Sequence, residues 1–333
     1  MASTYRAMLI TRPGGPEVLE PRDMPLVAPA RGELRVRIKA CGLGATDLIM
    51  LAGKYRFAPK LAVVGGYEIA GEVDAIGEGV TGFRIGQRVA ALTVHGGFAE
   101  YLTREALHFV PIPDAVSDLD AAAVILNYVS AWQMIHRVAN VQRGSRALVT
   151  GAAGGVGTAL LQLLALQGVT AYGSASVGKH ALVKKLGGIP LDYRKAPVDR
   201  LLRAQEPGGV DVAFDAIGGR SIGQCVRAVR RGGTVVGYGF MGAITQLAQA
   251  RMFFDVFAGS RLFGRRGTFY GISLLYRKNP QPFLEDLPKI FAALAEHRIE
   301  PVIATTFPLL EARGALELLA SGKAAGKIVL RCD

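Results

Sequence analysis

Two patterns of apolar and polar residues divide the chain near residue 118. Before that point, short segments such as ELRVRIKA alternate apolar and polar side chains, and glycine turns separate them. After it, apolar runs of strand length alternate with segments that have helical spacing. The first pattern predicts short half-buried strands, and the second predicts strands and helices in alternation.

The second part of the chain has the clearer order. Strands are predicted at RALVTG, TAYGSAS, DVAFDAIGG and TVVGYG, and helices at GVGTALLQLLALQG, KHALVKKLGG and GQCVRAVRRGG. A helix capped by Ser117 or Asp118 comes before this series. Such a βαβ series forms a parallel sheet with helices on both faces. The prediction is an α/β protein with a doubly wound parallel sheet.

Composition narrows the class of protein. The chain has 333 residues, 50% of them hydrophobic and 20% charged, and a net charge of +12. This length predicts two domains. The arginines are scattered, and no zinc finger, basic helix or RNA-binding motif accompanies them. We therefore interpret the charge as a solvated basic surface that attracts an anionic cofactor, and we expect no nucleic-acid partner.

Three isolated cysteines and a start without a basic-then-apolar signal predict a cytoplasmic protein without disulfides. No apolar run approaches the roughly 20 residues that span a bilayer, so membrane insertion is not expected. The five histidines form no paired metal motif, and we expect no metal site.

The stretch ALVTGAAGGVGTALLQ joins a predicted strand to a predicted helix through small residues. Small residues let the backbone approach a pyrophosphate, and free N–H groups at the helix start favour that anion. The alternative is a tight structural turn. The predicted phosphate-binding residues are Gly151, Ala152, Gly154, Gly155, Val156 and Gly157.

The choice of nucleotide depends on charge. Sites for NAD usually place an acidic residue about 20 positions after the first glycine, where it binds a ribose hydroxyl. No Asp or Glu lies between Gly151 and Leu191. Ser174, Lys179 and Tyr193 could instead surround a 2′-phosphate, although Lys179 alone could be a surface lysine. The sequence therefore favours NADPH over NADH.

Taken together, the motifs CGLGATD, GGYEIAGEVDAIGEGV, GQRVA, GGFAEY, GAAGGVG, FDAIGG and GKAAGKIVL resemble the medium-chain dehydrogenase/reductase superfamily over nearly the whole chain. The resemblance implies a Rossmann domain at residues 125–267. It also implies a discontinuous, mostly β GroES-like catalytic domain at residues 1–124 and 268–333.

Zinc-dependent relatives carry ligands at the places of Gly44, Tyr67 and Leu126. None of these three side chains here is a zinc ligand, because zinc needs three or four N, S or carboxylate ligands. The chain therefore resembles the zinc-independent, quinone oxidoreductase-like branch. Without a Lewis acid, quinones and α,β-unsaturated carbonyls are the hydride acceptors that need the least electrophilic activation, because their conjugation spreads the negative charge.

The resemblance implies an NADPH-dependent oxidoreductase that reduces a quinone or enone. Two alternatives stay open: an enoyl-thioester reductase, and a low-turnover NADPH-binding protein that acts as a redox sensor or in a complex. Three residues, namely Thr46, Tyr55 and Tyr67, are expected to donate hydrogen bonds in the substrate pocket. Each could instead be structural, as a turn threonine or as packed aromatics. Asp47 and Glu68 are expected to be structural.

Further cofactor contacts are implied by the resemblance at Asn127, Ser130, Ile217, Tyr238 and Gly239. The segment RGTFYGISLL at residues 266–275 matches a strand that relatives pair across a two-fold axis. This match implies a homodimer, and the alternative is an internal strand. The apolar segment at residues 240–259 either lines a cleft or fills a core.

Overall fold

The computed structural model describes residues 3–55, 59, 61–240 and 246–332. The chain divides into two compact units. One unit comprises Met1–Val129 with Tyr276–Asp333, and the other comprises Ser130–Leu275. The domain boundaries drawn from the resemblance stay a prediction.

The strands of the described residues are β1 Thr4–Ile10, β2 Leu19–Pro25, β3 Glu33–Leu43, β4 Val63–Val64, β5 Glu68–Ile76, β6 Arg88–Leu92, β7 Tyr101–Glu105, β8 Val110–Pro111, β9 Arg146–Val149, β10 Thr170–Ala175, β11 Gly188–Asp192, β12 Val210–Asp215, β13 Val229–Gly237, β14 Arg266–Phe269, β15 Ile303–Pro308 and β16 Lys327–Arg331.

The helices of the described residues are α1 Ala45–Leu51, α2 Asp118–Gln133, α3 Gly155–Leu166, α4 His180–Lys185, α5 Val198–Gln205, α6 Arg220–Ala228, α7 Gln246–Phe254, α8 Ser260–Leu262, α9 Ile272–Lys278, α10 Gln281–Ala295 and α11 Ala312–Ala320.

The unit Ser130–Leu275 contains the predicted parallel sheet. Its described strands follow the order β11-β10-β9-β12-β13-β14, and every neighbouring pair is parallel. Leu148, Phe214 and Val235 are fully buried in it, as expected of strands covered on both faces. The chain winds outward in both directions from β9 and β12. The loops after these two strands therefore meet at a switch point, where such sheets bind ligands.

The other unit is mostly antiparallel. One sheet has the order β2-β1-β4, and a second follows the path β15-β16-β3-β5-β6-β8 with β7 also paired to β3. The long strand β3 buries every second residue in its first half, Leu34, Val36 and Ile38 among them. This burial confirms the strand predicted from the alternation in ELRVRIKA.

One predicted helix cap is confirmed, and two predicted element boundaries differ from the structure. The Oγ of Ser117 accepts a hydrogen bond from the N–H of Asp120 at 3.1 Å, which confirms Ser117 as the cap of α2. The helix predicted at GQCVRAVRRGG ends early, because β13 already begins at Val229, opposite Val210. The strand predicted across residues 266–275 ends at Phe269, and α9 begins at Ile272, after Gly271 has interrupted the strand.

Candidate functional site

The predicted phosphate loop lies between β9 and α3. Gly154 occupies the N-cap position of α3 in an extended conformation, and no side chain caps the helix. Gly154 is exposed, and Gly155 and Val156 are partly exposed. The N–H groups of the first turn have no partner inside the helix. This helix end therefore offers an accessible set of donors to a phosphate anion.

Space and backbone conformation explain the glycines of this loop. Gly151 has a φ of +61°, in the left-handed region that favours glycine. A Cβ built at Gly157 would overlap the carbonyl oxygen of Gly151, and one built at Gly239 would overlap the carbonyl oxygen of Ala216. The loop also contacts β10, because the N–H of Ala152 donates to the carbonyl oxygen of Ser174 at 3.1 Å. These close backbone contacts are consistent with a glycine loop that leaves room for a bound pyrophosphate.

Asp215, which sequence reasoning gave no role, holds this region together. It is fully buried at the end of β12. Its Oδ1 accepts from the hydroxyls of Thr150 at 2.7 Å and Ser221 at 2.5 Å, and its Oδ2 accepts from the N–H of Gly218 at 2.6 Å. The Thr150 hydroxyl also accepts from the N–H of Ala216. Asp215 thus fixes the loop after β12 against β9. In the sequence, the pattern that could have indicated this role is an Asp shortly before a Gly-Gly turn, in FDAIGG.

Two predicted cofactor residues lie on the loops that Asp215 fixes. The Cδ1 of Ile217 lies 3.5 Å from the position of a Cβ on Gly151. The N–H of Tyr238 donates to the carbonyl oxygen of Asp215 at 2.9 Å. The Tyr238 hydroxyl is buried without a hydrogen-bond partner among the described residues, and burial raises its pKa. An unpartnered buried hydroxyl on a residue whose backbone bonds to Asp215 fits a site completed by a ligand.

Of the residues proposed for the 2′-phosphate, Ser174 lies in the last part of β10, whereas Lys179 and Tyr193 follow β10 and β11. Ser174 is buried, Lys179 is partly buried at the end of a 3₁₀ turn, and Tyr193 is half exposed. Burial lowers the pKa of Lys179. The parallel pairing also places Asp192 opposite Ala175 at the end of β10. The linear sequence did not reveal this acid near the predicted ribose position.

α2 carries the remaining pair of predicted cofactor residues. Asn127 and Ser130 are three residues apart, which places them on one face of a helix. Both are almost fully buried, at 5% and 4% exposure. Asn127 belongs to the first unit and Ser130 to the second.

Within the unit Met1–Val129 with Tyr276–Asp333, the resemblance aligns Gly44, Tyr67 and Leu126 with the family's zinc ligands. Two of these residues, Gly44 and Leu126, lie close together. A Cβ on Gly44 would lie 3.2 Å from Cδ2 of Leu126. The N–H of Leu126 donates to Oε2 of Glu68 at 2.5 Å, and Glu68 directly follows Tyr67. Hydrogen, isobutyl and phenol groups occupy these positions, and none of them is a zinc ligand.

Two buried carboxylates support this region. Glu68 also accepts from the Nζ of Lys327 in a buried ion pair. Burial raises the pKa of Glu68, and Lys327 opposes that shift. Oδ2 of Asp47 accepts from the N–H of Gly44 at 2.8 Å, whereas its Oδ1 has no normal hydrogen bond among the described residues. These contacts are the structural roles expected of both residues.

Burial sets the protonation of Asp47. It raises the pKa of this carboxyl to about 7, against the opposing effects of the Gly44 N–H and Lys327. A proton on Asp47 near neutral pH removes the cost of an ionised group in an apolar interior. Asp47 therefore orders the start of α1 without requiring a full negative charge.

The three predicted pocket donors differ in their surroundings. The hydroxyls of Tyr55 and Tyr67 lie 2.8 Å apart, with either one as the donor, and their rings meet edge to face at 6.1 Å. Tyr67 is 1% exposed, whereas Tyr55 is partly exposed. Thr46, partly exposed in the first turn of α1, makes no hydrogen bond through its side chain among the described residues. The structure thus couples the two tyrosines and leaves Thr46 apart from that pair.

Two family descriptions match this chain: "alcohol dehydrogenase GroES-like domain" over residues 30–114 and "zinc-binding dehydrogenase" over residues 188–330. The human synaptic vesicle membrane protein VAT-1 homolog is 31% identical to it, over 98% of this chain and 86% of that protein. The chain belongs to the medium-chain dehydrogenase/reductase superfamily. Its parallel sheet is the Rossmann-like part and its antiparallel sheets form the GroES-like part.

Other members of the superfamily are similar over the full length of this chain. A mycobacterial protein solved in complex with NADPH is 26% identical, with a TM-score of 0.86 over 99% of this chain and 100% of that one. The quinone oxidoreductase from Coxiella burnetii is 25% identical, with a TM-score of 0.86 over 99% of both chains. A segment covering 14% of a phenolphthiocerol/phthiocerol polyketide synthase from Mycobacterium tuberculosis is 30% identical, over 96% of this chain.

The described residues contain neither a metal-binding cluster nor a membrane-spanning helix. No cluster of three or more His, Cys, Asp or Glu side chains within residues 3–55, 59, 61–240 and 246–332 has an arrangement that could hold a metal ion. Over the same ranges, no helix combines the length and the apolar character needed to cross a bilayer.

Proposed function

We propose that this protein is an NADPH-dependent oxidoreductase that reduces quinones or α,β-unsaturated carbonyl compounds without zinc. The observation that carries the proposal is the chemistry of Gly44, Tyr67 and Leu126, which the resemblance aligns with the family's zinc ligands and which offer no zinc-ligand set. Such a pocket has no ligand set for a Lewis acid, so it suits an acceptor that already spreads negative charge by conjugation. The similarity to a quinone oxidoreductase supports this class of acceptor.

The cofactor's role and the chain's role are separate. NADPH, when bound, supplies the hydride. The first turn of α3 is proposed to hold the pyrophosphate, and Asp215 keeps the loops around it in place. Lys179, with Ser174 and Tyr193, is proposed to bind the 2′-phosphate, because a lysine attracts this dianion. The similarity to a protein solved with NADPH supports this choice of cofactor.

The tyrosine pair is proposed to serve the acceptor. Tyr55, the more exposed of the two, is proposed to donate a hydrogen bond to the acceptor oxygen. Tyr67 is proposed as a positioning residue, since its hydroxyl lies 2.8 Å from that of Tyr55 and its ring is buried. A donor held in place by a neighbour stabilises developing charge without reorganisation. Thr46 stays a proposed contact to the acceptor or the cofactor ribose.

A steady-state assay with three acceptors tests the proposal. NADPH oxidation is followed with 1,4-naphthoquinone, with a simple enone and with crotonyl-CoA. We expect the first two to be turned over faster than crotonyl-CoA. Tight NADPH binding without turnover of any acceptor would contradict the proposal and would favour a low-turnover binding protein.

A second candidate, an enoyl-thioester reductase, is favoured by one finding. The chain matches a polyketide synthase segment nearly from end to end. This candidate predicts that crotonyl-CoA is the best of the three acceptors. The same assay therefore separates the two functions.

We also propose a cytoplasmic homodimer. β14 is an edge strand of the parallel sheet, and several large apolar side chains of this unit are exposed: Leu247, Phe254, Phe257, Leu262, Phe263, Leu274 and Leu275. A second copy that pairs with this edge would cover them. Residues 241–245 of the apolar segment 240–259 lie outside the described residues. In its described part, Met252 is fully buried, whereas Phe254 and Phe257 are exposed.

Sedimentation measurements test the dimer. Leu262, 77% exposed, is replaced by Glu, and Ile85, 62% exposed in the other unit, is replaced by Glu as a control. We expect Leu262→Glu to give monomers and Ile85→Glu to leave the dimer intact. A wild-type monomer would contradict this part of the proposal and would leave the redox function untouched.

A further inference from the structure

A cavity of about 650 Å³ lies within the unit Met1–Val129 with Tyr276–Asp333. This volume suits a small organic ligand. Its walls combine apolar groups, such as Leu92, Val94 and Pro280, with the cationic side chains of Arg104 and Arg277. No Asp or Glu is among the described residues that line it. A cavity with this lining favours a ligand that has an apolar body and a negative charge.

Arg104 is the more unusual of the two cations. Its guanidinium is largely buried, and burial lowers its pKa. Its hydrogen bonds go to neutral acceptors, namely the carbonyl oxygen of Thr103 at 3.3 Å and the Nδ1 and carbonyl oxygen of His95 at 3.3 Å and 3.4 Å. Among the described residues no carboxylate lies within 4.0 Å of it, and Glu33 acts only from farther away. A buried charge without a counterion is costly, and an anionic ligand would remove that cost.

The histidines of the cavity do not neutralise this charge. Burial, reinforced by Arg104 and Arg277, lowers the pKa of His95 to about 4. Neutral His95 can therefore accept a hydrogen bond from Arg104 at pH 7. Burial also lowers the pKa of His108, whose Nδ1 lies 2.6 Å from the hydroxyl of Tyr276. The described lining of the cavity therefore contains two arginines, together with neutral and polar groups that can hydrogen-bond a ligand.

The backbone beside the cavity is strained and firmly held. Val94 has a φ of +64°, a conformation that a β-branched residue rarely adopts. The N–H groups of Thr93 and Val94 both donate to the carbonyl oxygen of Tyr67, at 2.9 Å and 3.1 Å, and that of Gly96 donates to Val64 and Gly65. Strained conformations that several bonds enforce are concentrated at ligand sites.

From these observations we propose that the cavity binds a small amphiphilic anion, an organic carboxylate or phosphate monoester whose apolar body lies against Leu92 and Val94 and whose anionic group pairs with Arg104 and Arg277. The proposal does not depend on the redox function, because Tyr55, Tyr67 and the glycine loop are not among the described residues that line this cavity.

Calorimetric titration of the full chain without cofactor tests the site. Octyl phosphate, octanoate and octan-1-ol serve as probes with the same apolar body. We expect both anions to bind about tenfold or more tightly than the alcohol, because a hydrogen bond to a charged group adds about 1.5–3 kcal/mol. Binding of only one anion would assign the site to that anion class. Equal binding of the alcohol, or no binding of any probe, would overturn the proposal.

Charge-removing variants locate the binding. Arg104→Gln and Arg277→Gln are each expected to weaken octyl phosphate about tenfold. Arg31→Gln, at an exposed arginine paired with Glu78, is the matched control and should change nothing. Arg277 is exposed, so its variant gives a result even if Arg104→Gln fails to fold. Unchanged binding by Arg277→Gln, or displacement of octyl phosphate by NADPH, would contradict this site.

Discussion

The phosphate loop is built mainly from backbone groups, whereas the proposed acceptor pocket around Tyr55 and Tyr67, here called the tyrosine pocket, is built from side chains. Between β9 and α3, the site consists of backbone N–H groups, and glycines leave room for a ligand. Around Tyr67, it consists of side chains from segments far apart in the sequence, held by Glu68 and Lys327. The loop should therefore tolerate no added Cβ at its tightest point, whereas the pocket should respond to the loss of single hydroxyl or carboxyl groups.

The largest effect is expected at Gly157. Gly157→Ala would place a Cβ against the carbonyl oxygen of Gly151 and force the loop open. We expect NADPH binding to weaken about 100-fold, which corresponds to about 3 kcal/mol. Gly208→Ala, at an open position of the same unit, is the control. Titration with NADPH measures both variants, and unchanged binding by Gly157→Ala would show that the loop does not hold the cofactor.

Replacing a side chain in the proposed 2′-phosphate site should lower the affinity for NADPH and not that for NADH. Lys179→Ala is expected to weaken NADPH about 30-fold and NADH hardly at all, since only NADPH has a 2′-phosphate for the lysine. Lys184→Ala, at an exposed lysine on the following helix, is the matched control. The ratio of the two dissociation constants is the measurement. Equal losses for both nucleotides would contradict the role proposed for Lys179.

The tyrosine pair should affect turnover and leave cofactor affinity unchanged. Tyr55→Phe is expected to lower kcat about tenfold, because one hydrogen bond to the acceptor is lost. Tyr67→Phe should have a smaller effect, and the double variant should be no slower than Tyr55→Phe, since Tyr67 acts through Tyr55. Additive losses in kcat would mean that the two hydroxyls act independently.

The smallest effect concerns stability and pH. The folded pKa of Asp47 is about 7, above the value of 3.8 for an exposed Asp. The folded state therefore holds this proton more tightly than the unfolded state, and the contribution of Asp47 to stability is lost as the pH rises through 7. Asp47→Asn keeps the acceptor for Gly44 and removes the titration.

Urea unfolding at pH 6 and pH 7 measures this effect. Relative to wild type, we expect Asp47→Asn to gain about 1 kcal/mol between the two pH values. Comparing the two proteins at the same pH cancels the contributions of other groups. A difference that does not change with pH would mean that Asp47 is ionised at both.

The same contrast explains what the sequence could predict. The parallel sheet and the glycine loop depend on local patterns, so the strand at RALVTG and the helix starting at Gly155 followed from the sequence. The role of Asp215 did not follow, because its partners Thr150 and Ser221 meet it only in the folded chain. Similarly, strand pairing places Asp192 beside β10, and Arg104 reaches His95 and the cavity only through the antiparallel sheets.

Each of the two boundaries that differ has its own physical cause. The helix predicted through RAVRRGG gives way at Val229 to a strand that pairs with β12, so tertiary pairing overrode the helical pattern. The segment after Phe269 turns into a helix because Gly271 ends the strand before its apolar residues can extend it. Such apolar runs are compatible with either structure from sequence alone.

Metal analysis combined with turnover tests whether this protein reduces its acceptor without a bound metal. The purified protein is assayed for NADPH oxidation with 1,4-naphthoquinone before and after dialysis against EDTA, and its transition-metal content is measured in parallel. We predict that the protein contains no metal in stoichiometric amount and that its turnover is the same after dialysis. A tightly bound transition metal whose removal abolishes turnover would contradict it.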